Sequence, residues 1–131
     1  MLDILSALKK SGAPVLAVSA HADDVELACG GTIAKLARAG IPVHHIILSL
    51  REIASPDIFS KEALISEVYA ANAAIGIPRE RVILHDLPNR TFPEQRQTIL
   101  DILYHLGKDL KPALIFMPSF DDMHQDHETI R

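Results

Sequence analysis

Residues 14–40, PVLAVSAHADDVELACGGTIAKLARAG, constrain this chain more than any other stretch. The apolar run Val15-Leu16-Ala17-Val18 has the length and β-branched content of a buried strand. A polar turn, His21-Ala22-Asp23-Asp24, follows, and then a helical pattern closed by Gly40, a residue suited to the left-handed position after a helix. Open α/β sheets carry their chemistry at the carboxyl ends of their strands, where this turn falls. His21 and Asp24, three residues apart, can close on one cation, and Asp23 between them points elsewhere and stays free.

The same alternation continues along the chain. Residues 2–10 read as a short helix ended by Gly12, and strands are expected at 15–19, 43–50, 82–86 and 113–117. Helices are expected at about 26–39 and 60–75, and a third runs to about 110 from a capping box with Thr91 as N-cap and Glu94 three residues on. Their inward stripes are Leu27, Ile33, Leu36 and Ala37; Leu64, Val68, Ala71 and Ile75; and Ile99, Ile102, Leu103 and Leu106. Strand–helix alternation predicts an α/β fold, a three-layer Rossmann-like sandwich on a parallel sheet with right-handed crossovers. With the fourth strand lying next to the first, the strand order is 3-2-1-4, and residues 1–131 make one domain.

Composition narrows the function. Hydrophobic residues make up 48% and charged residues 23% of the 131, which is globular. A net charge of -4 without a basic run argues against a nucleic-acid partner. The lone cysteine, Cys29, fits a reducing compartment and an expected cytoplasmic location. MLDILSALKK lacks the basic start of a signal peptide, and no apolar run is long enough for a membrane span.

A second polar cluster follows the fourth strand: Phe120-Asp121-Asp122-Met123-His124-Gln125-Asp126-His127. Facing carboxyl ends would let His21 and Asp24 meet His127. Two histidines and one carboxylate leave a fourth position open for water, the pattern of a catalytic zinc site, although another divalent metal fits the spacing too. Asp126 stands beside the histidine pair in position for a supporting role.

These residues carry a resemblance. AHADDVELACGGTIAKLARAG resembles the N-terminal signature of the PIG-L/LmbE family of zinc-dependent N-acetylglucosaminyl deacetylases, HQDH resembles its second motif, and GIPRERVILHDLPNR its third-strand region. The resemblance implies a hydrolase that removes acetyl from an N-acetylated amino sugar or glycoconjugate. It implies metal ligands at His21, Asp24 and His127, a general base at Asp23 and an oxyanion-stabilising histidine at His124, which needs an acidic neighbour among Asp121, Asp122 and Asp126 to stay protonated. The sequence departs from the family pattern at Ala22, usually proline, at Val25, usually glutamate, and at Leu64, often arginine. Family members usually continue well beyond Arg131, so the chain resembles a family member truncated at its C-terminus. The outer side of the fourth strand is then an open edge, so association with a second copy, as a homo-oligomer, or with a partner is expected there, together with metal binding but poor turnover of sugar substrates.

Other polar residues divide between chemistry and structure. Arg51, Asn89 and Arg90 fall on carboxyl-end loops, where they bind substrate hydroxyls or serve simply as loop residues. His85 ends the third strand near the site with both readings open, whereas His44 and His45 read as structural and His105 as surface. The rival class is a receiver-like phosphoacceptor domain, which shares the acidic pair and an aspartate, Asp86, after the third strand. It requires a lysine after a fifth strand and leaves His21 and HQDH unexplained. A third reading is an inactive relative that only binds metal.

Overall fold

The computed structural model describes residues 3–50 and 60–131. Among the described residues four parallel strands form one sheet: β1 (Val15–Ser19), β2 (Val43–Ile47), β3 (Val82–Leu84) and β4 (Leu114–Phe116), in the order β3-β2-β1-β4. The expected order holds, and β1 lies between β2 and β4, with Val15 in register with both Val43 and Leu114. The helices are α1 (Ile4–Ser11), α2 (Asp24–Arg38), α3 (Lys61–Ala74), α4 (Arg96–Leu110) and α5 (Gln125–Ile130). Among the described residues no helix is long and apolar enough to cross a membrane.

The unbroken apolar run of β1 reflects cover on both faces of the sheet. Val15 and Ala17 pack into one cluster with Val25, Ile33, Leu36 and Val68, and Leu16, Val18 and Ala20 pack into the other with Phe92, Ile99 and Ile130. β2, β3 and β4 stop earlier than expected, at Ile47, Leu84 and Phe116. The β1–β2 and β2–β3 pairing nonetheless runs on past the strand ends, Ser49 N donating to Ala20 O at 2.9 Å and Leu87 N to Leu48 O at 3.0 Å.

Two local expectations are corrected. Leu27 was expected inward, but its side chain is 81% exposed. The helix is kinked at Cys29, where φ is -145°, and Val25 rather than Leu27 faces the core before the kink. The Thr91–Glu94 capping box does not form. Phe92–Gln95 make a 3₁₀ turn and α4 begins only at Arg96. Thr91 Oγ1 donates to Pro88 O at 2.9 Å and accepts from Gln95 Nε2 at 2.7 Å, while Phe92, fully buried, donates its amide to Asp126 Oδ1 at 3.2 Å. Tertiary burial of Phe92 therefore overrides the local capping pattern.

A buried polar chain fixes the end of β1. Asn72 Nδ2 donates to Val68 O and Glu26 Oε1, so its Oδ1 accepts from His45 Nδ1 at 2.8 Å. His45 Nε2 is thereby left to accept from Ser19 Oγ at 2.7 Å. Burial lowers the His45 pKa and keeps the ring neutral, which fits its expected structural role.

Candidate functional site

The turn after β1 is folded back by its own carboxylate. Asp24 Oδ2 accepts from Ala20 N at 2.9 Å and His21 N at 3.0 Å, which aims Oδ1 at the side chains. Oδ1 lies 3.7 Å from His21 Nδ1 and 3.3 Å from His127 Nε2, and these two nitrogens are 3.2 Å apart. His127, distant in the chain, thus meets the neighbouring His21 and Asp24 in one triangle.

The outer nitrogens of both rings are held by acceptors. His21 Nε2 donates to Asp126 Oδ2 at 3.1 Å and to Asn89 Oδ1 at 3.2 Å. His127 Nδ1 donates to Asp122 Oδ2 at 2.7 Å. With the ring hydrogens on the outside, three lone pairs face one another at 3.2–3.7 Å, an arrangement that requires a cation between them. A proton answers this need in the metal-free chain: Asp24 beside it raises the His21 pKa, burial opposes, Asp126 adds to the rise, and the result is about 9. Burial raises the Asp24 pKa, but the His21 side-chain and backbone hydrogen bonds, with the charge of His21, outweigh it and hold the carboxyl below its usual range. The donor set also fits zinc, whose tetrahedral shell with bonds of about 2.0–2.1 Å sets ligand atoms roughly 3.3–3.4 Å apart.

His124 stands over this triangle, its ring centroid 4.8 Å from that of His21, and one ligand-capable atom each of His21, His124 and His127 lies within 4.8 Å of the others. As N-cap of α5 its Nδ1 accepts from Asp126 N at 3.2 Å, so its ring hydrogen sits on Nε2. Two of the carboxylates expected to accompany His124 are committed elsewhere, Asp122 to His127 and Asp126 to His21, and Asp121 is exposed. The Nδ1 of His124 is thus occupied by the Asp126 amide, and its Nε2 is the ring nitrogen left to face the site.

Asp126 is wholly buried and also accepts from Arg90 N at 2.7 Å and Phe92 N at 3.2 Å, which locks α5 to the 88–92 turn. Arg90 enters through its backbone, in the left-handed region with φ 65°, and Asn89 enters through His21. Arg51 lies outside the described residues. Asp23 is exposed at the start of α2, makes no helix-capping side-chain bond, and borders a cavity of about 330 Å³ with Glu26, Leu64 and Glu67. A larger cavity of about 570 Å³ opens on the other side of α2, lined by Asp24, His127, Asp122, Phe116 and Met117. His85 is half-buried and outside the histidine cluster. Asp86, the aspartate of the receiver-like reading, pairs with Lys61 at 2.6 Å.

The family pattern for GlcNAc-PI de-N-acetylase, PIG-L, matches residues 16–131. The chain belongs to the PIG-L family. YaiS of Escherichia coli K12, described as an uncharacterized deacetylase, is 43% identical over 44 residues, 34% of this chain and 23% of YaiS. The N,N'-diacetylchitobiose deacetylase of Pyrococcus horikoshii superposes with a TM-score of 0.74 at 20% identity, over 98% of this chain and 51% of that one. The 4-carboxy-2-hydroxymuconate hydratase GalB of Pseudomonas putida KT2440 superposes with a TM-score of 0.73 at 24% identity, over 90% of this chain and 54% of that one. At these identities the two structures show a shared fold. This PIG-L chain spans about half the length of either solved relative.

Proposed function

We propose that this PIG-L chain carries the metal-binding and proton-transferring part of an N-deacetylase that cleaves the acetamide of an amino sugar or glycoconjugate. The observation behind this reading is the meeting of three lone pairs from His21, Asp24 and His127 at 3.2–3.7 Å, with a free carboxylate, Asp23, next in sequence. A zinc ion held there would supply a Lewis acid and an acidified water. Asp23 takes the proton from the attacking water and returns it to the leaving amine. His124 donates from Nε2 to the oxygen that gains charge as the carbonyl is attacked. Family membership supports a deacetylase over the receiver-like reading, and the aspartate which that reading needs is paired with Lys61. The likeness to GalB raises a hydratase as second reading, on fold alone.

The test is acetate release from N-acetylglucosamine conjugates by the zinc-loaded chain, beside hydration of an enol acid. Asp23→Asn is expected to lower acetate release by about 10²–10⁴-fold while zinc still binds at one equivalent. Equal rates in parent and variant, or hydration without acetate release, would reject the assignment.

The outer side of β4 is proposed as a self-association surface. Ile115, Met117, Phe120 and Met123 are 46–96% exposed on or just after this edge strand. Light scattering should give a mass above 14.4 kDa that falls when Ile115 and Met117 become lysine; a monomer at every concentration would rule the surface out.

A further inference from the structure

We propose that Asp122 is a positioning residue, one carboxylate that sets both the tautomer of His127 and the seat of His124. The inference rests on the reading of His127 as a metal ligand. Asp122 Oδ2 accepts from His127 Nδ1 at 2.7 Å, and Oδ1 accepts from His124 N at 2.9 Å. An ionised carboxylate has no hydrogen to give, so the ring hydrogen of His127 must sit on Nδ1. The lone pair of Nε2 is then turned toward Asp24 Oδ1 and His21 Nδ1, 3.3 and 3.2 Å away. The second oxygen ties down the amide of the residue that begins α5, whose own ring reaches over His21.

The turn that presents Asp122 is itself braced. Asp122 N donates to Ser119 O at 3.2 Å, and Arg131 Nη1 donates to the carbonyls of Ser119, Phe120 and Asp122. A carboxylate serving only the helix start would need the His124 amide alone. The additional short bond to an imidazole nitrogen is what a metal-binding histidine requires from its surroundings.

The test uses the full chain, labelled with ¹⁵N and free of metal, with long-range correlation spectra of the histidine rings, and zinc affinity measured separately by chelator competition. In the parent, His127 is expected as the Nδ1–H tautomer. In Asp122→Ala that preference is expected to be lost and zinc to bind about 10–100-fold more weakly. Asp122→Asn, which keeps one acceptor oxygen for two donors, should fall between. Asp109→Asn, an exposed change on α4, is the control and should match the parent. An unchanged His127 tautomer and unchanged affinity in folded Asp122→Ala or Asp122→Asn would overturn the role of Asp122. A changed tautomer with unchanged zinc affinity would instead overturn the reading of His127 as a ligand.

Discussion

His21→Ala is expected to abolish one-to-one zinc binding, and His127→Ala to do the same. Losing an outer partner of a metal-binding histidine costs about 10–100-fold in affinity, and losing the ligand itself costs more. Each replacement also leaves two of the three facing lone pairs without the third corner of the triangle. His105→Ala, on the exposed face of α4, should bind like the parent. The parent's affinity should depend on pH in a definite direction. His21 holds a proton up to a pKa of about 9, against 6.5 unperturbed, and zinc must displace it. Affinity should therefore rise about tenfold per pH unit from near 7 toward 9 and then level off. The fold responds in the opposite sense: the stability drawn from protonated His21 is complete below pH 6.5 and is lost as pH rises through about 9. Chelator competition at several pH values checks the first trend and urea unfolding of the metal-free chain the second. Undiminished binding by either alanine variant would mean that the triangle is not the metal site.

The second large effect is expected at Asp126. Its two buried oxygens receive three donors: His21 Nε2 and Arg90 N at Oδ2, and Phe92 N at Oδ1. Alanine would strand all of them in a site with no exposure at all, at a cost on the order of 3–5 kcal/mol. Asparagine is no safe replacement. Whichever way its amide is turned, the NH₂ group meets at least one N–H, and about 1–3 kcal/mol should still be lost. Both changes should also loosen His21, so zinc affinity should fall with stability. Urea midpoints for the parent and the two variants measure this. An Asp126→Asn chain as stable as the parent would show that the three donors find other partners.

Much of this was readable from local pattern. The alternation of short apolar runs with helical stripes is set by the periods of strand and helix, and right-handed crossovers then leave few strand orders. The order 3-2-1-4 follows, and with it the meeting of the turns after the first and fourth strands. That His21, Asp24 and His127 would come together was legible because each lies in a polar turn just after one of two adjacent strands. Their neighbours were less so. Asn89, weighed as a group for substrate, bonds His21, and Asp122, one of three acidic candidates beside His124, bonds His127. The adjacent-acid pattern DD after the fourth strand was the available signal, but it does not say which ring each carboxylate meets.

The sequence by itself determined the layers, the parallel sheet and the two turns that carry the polar residues, because strand and helix periods are local properties. Only the tertiary structure decided how those residues are used. Leu27 faces out and Val25 takes the inward place, because nine residues at 3.6 per turn set Leu27 on the side of the helix opposite Leu36. The Thr91 cap is lost because Phe92 is drawn into the core and its amide to Asp126. His124 turns its Nδ1 away from the triangle because that nitrogen takes the amide of Asp126. Each outcome turns on which donor meets which acceptor once distant segments pack, and a hydrogen bond between residues 105 apart, such as His21 to Asp126, leaves no periodic trace in the chain.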